Sequence, residues 1–338
     1  MKILFIGMGS IGQRHLQNIQ SLYGKEVKCF AVRSTLHNNY IKDGIATVVE
    51  NLANHYQIGV FSSLDEALVG QTYDAVFITN PSSLHSNTIL KCLSYQISIF
   101  VEKPLCINSK EAREIKNKLI YTDSILYVGY QTHFDPIFKK VNDLIVSKEL
   151  GSVVSARFEW CTFLPDHHKY EDYRTGYAAR NDLGGGVILG LSHEVDVIVN
   201  FFGMPDIIKA VESSNKKIDI SADDTIMALC KYSIDDKNLF SLSLVLSYSQ
   251  VVETRGFRIQ FENGFIDCDW NNGKVNIVDR RKVDSHKTFE SNMSRNEIFI
   301  EQTKFFIEAV RCKDTSIINI ENSINILKFI ENIKTGLI

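Results

Sequence analysis

The chain has 338 residues, of which 44% are hydrophobic and 23% charged, a composition typical of globular proteins that excludes the disordered and fibrous classes. Its length predicts about two domains. Its net charge of -3, from 37 basic and 40 acidic residues, removes the simplest case for a nucleic-acid partner. No apolar run approaches the roughly 18 residues that cross a bilayer, and the N-terminus lacks the pattern of a signal peptide. Seven scattered cysteines predict reduced thiols and a cytoplasmic protein, without a disulfide framework or a metal site.

The first third of the chain alternates short apolar runs with amphipathic stretches. Runs rich in Val, Ile and Phe that alternate with helical patterns predict βαβ units and a doubly wound parallel sheet, the Rossmann architecture. The predicted strands are residues 2–6, 26–32, 57–61, 74–79, 97–101 and 125–129, and the predicted helices are residues 11–22, 83–95 and 109–121.

The pattern changes after about residue 150. Residues 152–163 alternate as a strand, and Gly184-Gly185-Gly186 precedes a helical stretch from about Val187 to Phe202. Strand-like segments between residues 207 and 278 are separated by Asn-Gly pairs, which are hairpin signals. Two helices, near residues 296–312 and 321–335, close the chain. We therefore predict a C-terminal α+β domain with an open, mainly antiparallel sheet. The domains are residues 1–125 and 126–338, with the boundary between 120 and 150 and C-terminal helices free to pack on the first domain.

A glycine-rich loop, Gly7-Met8-Gly9-Ser10-Ile11-Gly12, joins the first predicted strand to the first predicted helix. In a G-x-G-x-x-G loop the first glycine permits the tight turn, the second lets the backbone approach a pyrophosphate, and the third lets helix and strand pack closely. The backbone N–H groups at the helix start, including those of Ser10 and Ile11, then bind the anion. The alternative is a glycine turn without a ligand.

The end of the second strand indicates which dinucleotide binds. An NAD site usually has Asp or Glu about 20 residues beyond the loop, but here the segment is Ala31-Val32-Arg33-Ser34-Thr35, without an acid. Arg33 and Ser34 suit a 2′-phosphate, since one supplies a charged fork and the other a hydroxyl donor. We predict NADP(H) as the preferred cofactor, with NAD(H) possible. The alternative for Arg33 is a solvated surface side chain.

Further motifs follow in order along the chain. They are Thr79-Asn80-Pro81 with His85, Glu102-Lys103-Pro104, the glycine run 184–186, and Ser192-His193-Glu194-Val195-Asp196. With the glycine loop, this combination resembles the glucose–fructose oxidoreductase / inositol dehydrogenase / MocA-like family along nearly the whole chain. The resemblance implies a Rossmann domain, a C-terminal α+β domain whose open sheet often serves oligomerisation, and redox chemistry on sugars or cyclitols. It assigns the cofactor site to the glycine loop and to Thr79, Asn80, Pro81, His85, Glu102 and Lys103.

Lys103 is the first candidate catalytic residue. It lies at the carboxyl end of a predicted parallel strand, where ligands bind in open α/β sheets. A lysine that is partly desolvated there can exchange a proton with the reacting oxygen or hydrogen-bond to it, and so contact both substrate and cofactor. The resemblance implies a cis Lys103–Pro104 bond. The alternative is an ordinary charged side chain at a strand end.

His193 is the second candidate. On the predicted helix, His193, Asp196 and Asn200 form one polar stripe on otherwise apolar faces, a pattern that suggests the lining of a site. Histidine titrates near neutral pH and can act as a general acid or base. We place His193 and Asp196 with the substrate-binding residues, and expect Asp196 to orient its neighbours rather than to react. The alternative is a hydrogen-bonded core histidine.

The chain departs from the family at one point. The family commonly carries an aspartate three or four residues before this histidine, where this chain has Leu189 and Gly190. Substitute contacts are predicted from the stretch 173–180, in which two arginines and two tyrosines could bind an acidic group and stack on a sugar. Arg174, Tyr177 and Arg180 are the candidates, and a solvated loop is the alternative. Gln131 lies where the family often has Asn near the nicotinamide, so we place it with both cofactor and substrate.

The leading hypothesis is hydride transfer between NAD(P) and a secondary alcohol or ketone of a sugar, nucleotide sugar or acidic sugar. The sequence of residues 185–196, together with the arginine-rich stretch before it, resembles a branch of the family found in bacterial surface-polysaccharide gene sets. The expected partners are a small-molecule sugar and a second copy of the chain, as a homodimer or homotetramer through the C-terminal sheet, without nucleic acid or membrane. Two alternatives remain: a nicotinamide-binding sensor on the same scaffold, and a redox-neutral epimerase that holds its cofactor tightly.

Overall fold

Two sheets organise the chain in the computed structural model, which describes residues 1–33, 38–214, 218–233, 239–318 and 320–338. By its contacts the described chain divides into two units. The first contains Met1–Gly129, His168–Asp172 and Phe299–Ile324, and the second contains Tyr130–His167, Tyr173–Ile298 and Asn325–Ile338. This division by contacts does not test the domain boundary predicted after residue 125, which stays a prediction.

The first unit is built on a six-stranded parallel sheet and a small hairpin. Its described strands are β1 (Lys2–Ile6), β2 (Lys28–Val32), β3 (Asn39–Lys42), β4 (Ile45–Val48), β5 (Gly59–Phe61), β6 (Ala75–Ile78), β7 (Ser98–Val101) and β8 (Leu126–Val128). The helices between them are α1 (Ser10–Tyr23), α2 (Leu52–Tyr56), α3 (Leu64–Gly70), α4 (His85–Leu93) and α5 (Ser109–Leu119). The sheet order is β5-β2-β1-β6-β7-β8, and all of its pairs are parallel.

The central strands of this sheet are buried on both faces, which is why their sequences are continuous apolar runs rather than alternating ones. Phe77 lies between Phe5 and Phe100, with ring centroids 5.2 and 4.7 Å away in stacked geometry. Phe306, near the C-terminus, meets Phe77 and Phe100 edge-on at 5.4 and 5.6 Å. Aromatic pairs in such geometries contribute about 0.5–1.5 kcal/mol each beyond their burial.

The strand order places a topological switch point between β1 and β6. From β1 the chain moves outward through β2 to β5, and from β6 it moves outward in the other direction to β8. Ligands of open α/β sheets bind at the carboxyl ends of the strands beside such a point. The glycine loop follows β1 and Thr79-Asn80-Pro81 follows β6, so both lie at the switch point.

The second unit is built on an eight-stranded sheet. Its described strands are β9 (Val153–Phe163), β10 (Ile207–Ser213), β11 (Thr225–Ser233), β12 (Leu239–Ser247), β13 (Ser249–Phe261), β14 (Gly264–Asp269), β15 (Lys274–Asp279) and β16 (His286–Glu290). The remaining described helices of the chain are α6 (Pro136–Val146), α7 (Val187–Gly190), α8 (His193–Phe202), α9 (Arg295–Cys312) and α10 (Ile320–Thr335). The order is β10-β11-β12-β9-β13-β14-β15-β16, antiparallel except for the pair of β12 with β9.

Burial alternates along the strands of this sheet, as expected where one face is covered and the other is not. On the covered face, Phe158 of β9 packs against Phe202 of α8 and Phe257 of β13, with ring centroids 6.1 and 5.0 Å away. On the other face, Met227 and Leu229 of β11 are exposed. The predicted fold class, a Rossmann sheet followed by an open, mainly antiparallel sheet, is confirmed.

Two local features differ from the predicted elements. The single helix predicted from Val187 to Phe202 is two helices, α7 and α8, bent by 51° between Asn181–Gly190 and His193–Phe202. The β3–β4 hairpin was not predicted, although Asp43-Gly44 at its turn is a strong hairpin signal and both residues have positive φ. Among the described residues no single helix is long and apolar enough to cross a membrane, and only that bent pair meets the length and composition of a span.

Candidate active site

The glycine loop has the close approaches that its motif predicts. Gly7 has φ of +100°, and a Cβ there would lie 2.7 Å from the Asn80 backbone nitrogen. A Cβ on Gly12 would lie 2.3 Å from the Gly7 carbonyl oxygen and 2.7 Å from Thr79 Oγ1. A Cβ on Gly9 would meet no described atom within 4 Å. Gly7 and Gly12 are therefore needed by the fold itself, whereas Gly9 faces open space.

The start of α1 is suited to an anion. Gly9 is the N-cap and offers no side-chain cap, and the first turn of the helix has no acidic residue. The first N–H groups of a helix have no partner within it and lie at the positive end of the helix dipole, so they favour a negatively charged group. Thr79 Oγ1 donates to the Gly7 carbonyl at 2.7 Å and fixes the loop.

These residues fit the dinucleotide that the loop motif implies. The backbone is exposed at Gly9, where a pyrophosphate would approach. Asn80 Oδ1, at the end of β6, is buried and has no hydrogen-bond partner among the described residues. Pro81 comes next and begins a short 3-10 turn, Ser82–Leu84. An unpaired buried acceptor beside the switch point is the group that a donor on a bound nucleotide would satisfy.

Arg33 directly follows β2, as the sequence predicts. Its backbone nitrogen donates to the Phe61 carbonyl at 3.1 Å, which ties it to the end of the neighbouring strand. Its side chain is partly buried, and this burial lowers the pKa of the Arg33 guanidinium. Arginine still keeps its charge at neutral pH. Ser34, the predicted companion of Arg33, lies outside the described residues.

Lys103 lies between two buried neighbours and is itself partly exposed. Its backbone nitrogen donates to Glu102 Oε2 at 3.2 Å, and Glu102 Oε1 accepts from His15 Nε2 of α1 at 2.8 Å. The His15 ring is fully buried against Phe100, with centroids 4.8 Å apart. The helix that begins at the glycine loop is therefore linked to Lys103 through one carboxylate. The Lys103–Pro104 bond is cis, as the resemblance implies.

His85 bridges the ends of β6 and β7. Its Nδ1 lies 2.9 Å from the Pro104 carbonyl oxygen and its Nε2 lies 2.8 Å from the Asn80 carbonyl oxygen. The residue is 1% exposed, and burial lowers the pKa of the His85 imidazole despite both carbonyls. With a backbone carbonyl oxygen within 2.9 Å of each ring nitrogen, the geometry favours a role at the two strand ends over contact with the predicted cofactor.

In the second unit, His193 is the first residue of α8 and is 3% exposed. Its Nδ1 lies 3.3 Å from Thr132 Oγ1, and its ring meets the Tyr130 ring edge-on with centroids 5.6 Å apart. Thr132 belongs to the short 3-10 turn Gln131–Phe134, in which Gln131 is partly exposed. A hydroxyl at Nδ1 fixes the plane of the ring and can serve either tautomer, since it both donates and accepts.

Asp196 is fully buried and holds two other side chains. Its Oδ2 lies 2.8 Å from His133 Nε2, and its Oδ1 accepts from Asn200 Nδ2 at 2.9 Å. Burial lowers the pKa of His133, but the charge and hydrogen bond of Asp196 outweigh it and the net pKa is raised. The predicted stripe is therefore a hydrogen-bonded cluster, and its carboxylate favours an orienting role over direct substrate contact. His133 was missed because it is 63 residues away in the sequence.

A second cluster beside His193 was also missed. Arg255 of β13 lies between two indoles, its Cζ 4.0 Å from the Trp160 centroid and 4.6 Å from the Trp270 centroid. Its Nε donates to Glu194 Oε1 at 2.7 Å, and the Glu194 side chain is 2% exposed. This buried pair fixes the first turn of α8. No local pattern signals it, because its four members lie far apart in the sequence, on β9, α8, β13 and the turn after β14.

The predicted substrate stretch forms consecutive 3-10 turns. Arg174 lies in Tyr173–Thr175 and is exposed, and Tyr177 begins Tyr177–Ala179 and is partly exposed. Arg180 is exposed and donates through two nitrogens to Asp182, at 3.1 and 2.6 Å. That carboxylate raises the pKa of Arg180. An acidic substrate would compete with Asp182 for this guanidinium.

The space beside Gly190, one of the two positions where the resemblance implies an aspartate, is filled by Tyr248. A Cβ on Gly190 would lie 1.8 Å from Tyr248 Oη, and Tyr248 is 1% exposed. Burial raises the pKa of Tyr248 well above its usual value, so the phenol is neutral. Leu189 is 5% exposed. An aspartate at position 190 would therefore require Tyr248 to move.

Two family models match the sequence. Residues 1–130 match the model described as an oxidoreductase family with an NAD-binding Rossmann fold, and residues 138–267 match the GFO/IDH/MocA C-terminal domain. Together the two matches cover most of the chain.

Curated relatives are dehydrogenases and oxidoreductases of low identity. D-xylose 1-dehydrogenase (NADP(+)) 2 of Haloferax volcanii is 21% identical over 81% of this chain and 81% of its own length. The scyllo-inositol 2-dehydrogenase (NAD(+)) of Bacillus subtilis is 28% identical over 44% of this chain and 41% of its own length. An uncharacterised oxidoreductase of Bacillus subtilis, YrbE, is 29% identical over 44% of this chain, and the match spans only 40% of its length.

Solved structures share the fold along the whole chain. Levoglucosan dehydrogenase in complex with NADH and levoglucosan has a TM-score of 0.81 at 13% identity, covering 99% of this chain and 96% of that one. Myo-inositol 2-dehydrogenase from Lactobacillus plantarum has a TM-score of 0.78 at 16% identity, with the same coverage.

Proposed function

The chain belongs to the GFO/IDH/MocA oxidoreductase family, and we propose that it is an NAD(P)-dependent dehydrogenase of a sugar or cyclitol. The observation that carries this proposal is the glycine loop, where Gly7 and Gly12 pack against β6 while Gly9 leaves the backbone open at a helix N-terminus. Two of the relatives named above are dehydrogenases of D-xylose and of scyllo-inositol. We propose the same reaction type for this chain.

The cofactor is proposed to be NADP(H) in preference to NAD(H). Bound nicotinamide would supply the hydride acceptor or donor. Arg33 supports the preference because it stands at the end of β2 with a partly buried guanidinium, in a segment that has no acidic residue. Ser34 is proposed to donate to the same phosphate. The two enzymes above show that the family includes both specificities.

Lys103 is proposed to hold the reacting oxygen and exchange its proton. Its backbone is fixed on both sides, by Glu102 through His15 and by His85 through Pro104, so the ammonium moves only through its own side-chain torsions. His193 is proposed as the general acid or base. The Thr132 hydroxyl, 3.3 Å from Nδ1, supports this role because it fixes the plane of the ring.

The substrate is proposed to be a sugar, nucleotide sugar or acidic sugar, contacted by Gln131, Arg174, Tyr177 and Arg180. Two exposed arginines and a partly exposed tyrosine within seven residues support an acidic or nucleotide-bearing sugar. A place in surface-polysaccharide biosynthesis remains part of this proposal and rests on the resemblance of residues 185–196.

A second copy of the chain is proposed to cover the open face of the eight-stranded sheet. Val211 of β10 stands opposite Met227 of β11, and both are exposed, as is Leu229 two residues on. Exposed apolar side chains grouped on one sheet face are typical of protein interfaces. A cytoplasmic location is proposed from the seven cysteines, none of which forms a disulfide in the described part of the chain.

Replacement of Lys103 tests the proposal. A panel of sugars and inositols is screened with NADP⁺ and NAD⁺ by absorbance of the reduced nicotinamide, and the best substrate is then given to Lys103→Ala. We expect turnover to fall about 10²- to 10⁴-fold, the usual contribution of a proton-transfer group, while nucleotide binding persists. Lys110→Ala, at an exposed position of α5, is the control. Turnover within a few-fold of wild type in Lys103→Ala would refute the assignment.

One observation favours a second candidate, a nicotinamide-binding sensor. Tyr248 fills the space beside Gly190, at the position where the family commonly has its substrate-facing aspartate. Binding of NADPH without turnover of any sugar in the panel would support the sensor. Tightly copurifying, non-exchanging cofactor would instead support a redox-neutral epimerase.

A further inference from the structure

Three glutamines of α1 attach the β3–β4 hairpin and the end of α2 to this helix. Gln13, Gln17 and Gln20 are spaced by four and three residues, so their side chains lie on one face of α1. Gln17 Nε2 donates to the Ile41 carbonyl at 2.8 Å and to Tyr56 Oη at 2.7 Å. Gln20 Nε2 donates to the Tyr56 carbonyl at 2.7 Å. The helix that begins at the glycine loop therefore holds the hairpin in place.

Gln13 differs from the other two glutamines because its amide also contacts the glycine loop. Its Nε2 donates to the Met8 carbonyl at 3.0 Å and to the Asn39 carbonyl at 2.8 Å. Its Oε1 accepts from the Ile41 backbone nitrogen at 2.8 Å and from Tyr56 Oη at 2.9 Å. A primary amide has two N–H donors and two acceptor sites, so Gln13 uses its full hydrogen-bonding capacity while it is only 1% exposed.

The Met8 carbonyl belongs to the same peptide unit as the Gly9 N–H. This peptide is trans and planar, so its carbonyl and its N–H point in opposite directions. Thr79 Oγ1 donates to the preceding carbonyl, that of Gly7, at 2.7 Å. Because Gln13 binds the Met8 carbonyl on the buried side, the Gly9 N–H is directed to the other side. There Gly9 is exposed, and a Cβ on it would meet no described atom within 4 Å.

We propose that Gln13 is a positioning residue of the dinucleotide site, which turns the Gly9 N–H toward the cofactor pyrophosphate. The proposal rests on the proposed function for the cofactor itself. It commits to the pyrophosphate because the glycine loop and the uncapped start of α1 present N–H donors to an anion. A donor that is fixed before binding loses less conformational entropy when the anion arrives. The buried amide of Gln13 therefore contributes to affinity without touching the nucleotide.

The test is a fluorescence titration of purified protein with NADPH and with NADH, beside unfolding in urea. Gln13→Met keeps a side chain of similar size but removes the four hydrogen bonds of the amide. We expect both nucleotides to bind about 3- to 10-fold more weakly, the usual effect of one hydrogen bond, and by the same factor because both contain the pyrophosphate. Gln17→Met is the matched control, since it also loses hydrogen bonds to the hairpin and to Tyr56, but one helical turn from the loop. It should be less stable in urea yet bind both nucleotides like wild type.

A double variant shows whether Gln13 acts through Gly9. Gly9→Ala combined with Gln13→Met should bind no more weakly than the weaker of the two single variants, because both changes act on the contact of one N–H with the pyrophosphate. Additive losses in the double variant, a loss for NADPH alone, or wild-type affinity in Gln13→Met would each overturn the proposal. Equal losses of affinity in Gln17→Met and Gln13→Met would also overturn it, since the glutamines would then act only by holding the hairpin.

A second measurement does not require a Gln13 variant to fold. Protein labelled with ¹⁵N-glycine carries 19 labelled residues, and the Gly9 signal is the one missing from the spectrum of Gly9→Ala. In wild type the Gly9 amide proton should shift downfield on saturation with the tighter-binding nucleotide, because it donates to a charged phosphate oxygen. An unchanged Gly9 signal would overturn the role of Gln13 alone. Wild-type protein that binds neither reduced nucleotide would overturn the proposed function, and the role of Gln13 with it.

Discussion

Two glycines of one loop are predicted to fail in different ways when each is changed to alanine. At Gly12 a Cβ would lie 2.3 Å from the Gly7 carbonyl oxygen, more than about 1 Å inside van der Waals contact. At Gly9 a Cβ would meet nothing described within 4 Å, and the backbone φ of -71° is ordinary for alanine. Gly12→Ala should therefore damage the fold, and Gly9→Ala only the site.

The magnitudes follow from the contacts. Overpacking a tight position costs about 1–3 kcal/mol, and displacing Thr79 from the Gly7 carbonyl loses a hydrogen bond of about 1 kcal/mol. Alanine regains about 1 kcal/mol of helix propensity at Gly12. The net loss for Gly12→Ala is about 1–3 kcal/mol, which lowers Tm by about 2–4 °C per kcal/mol. Gly9→Ala at the N-cap should cost less than about 1 kcal/mol.

Unfolding in urea and titration with NADPH measure the two effects. Gly9→Ala should unfold close to wild type yet bind NADPH at least about tenfold more weakly, because a methyl group occupies the approach to the backbone donors. Gly12→Ala should lose both stability and binding. If Gly12→Ala were as stable as wild type, or Gly9→Ala bound NADPH normally, the assignment of separate roles would be wrong.

Three more changes test other contacts. Arg255→Met should lower the free energy of unfolding by about 3–5 kcal/mol, because it leaves Glu194 buried without its ion pair. The control is Arg258→Met: Arg258 stacks on the Phe265 ring of the same sheet with its side chain 42% exposed, so its loss should cost under about 1 kcal/mol. Equal losses for the two variants in urea unfolding would contradict this. The pKa of His133 is raised in the folded state, so its charged form stabilises the fold fully below about pH 6.5 and less as the pH rises through the folded pKa. The difference in free energy of unfolding between wild type and His133→Gln, measured with urea, should therefore be smaller at alkaline than at acidic pH. Arg33→Gln should weaken NADPH binding about tenfold or more with little change for NADH, and equal losses in paired titrations would exclude a 2′-phosphate contact.

The fold was predictable because its signals are local. Buried parallel strands are short apolar runs, and Gly7 and Gly12 mark the turn between strand and helix where the structure needs them. The bend between α7 and α8 was not predictable, since apolar periodicity continues through Leu191 while the backbone changes there. The turn of the β3–β4 hairpin, by contrast, has a local signal in Asp43-Gly44, both of which have positive φ.

The candidate site was only partly predictable. Sequence motifs identify Lys103 and His193, whose roles stay predictions, but not the side chains that hold them. His15 is 87 residues from Glu102, and Thr132 is 61 residues from His193. Hydrogen bonds of that sequence separation depend on the completed fold, and a single sequence has no pattern that records them.

The aromatic stack of the first sheet has a consequence for how the protein is made. Phe77 and Phe100 are covered at one edge by Phe306, so the core of the first unit contains side chains from both ends of the chain. During translation the parallel sheet emerges from the ribosome long before α9 is synthesised. Until then its aromatic edge lacks its cover, and transiently exposed apolar surface of this kind promotes aggregation. A gene fragment that ends after Gly129 would therefore yield an incomplete, poorly soluble nucleotide-binding unit.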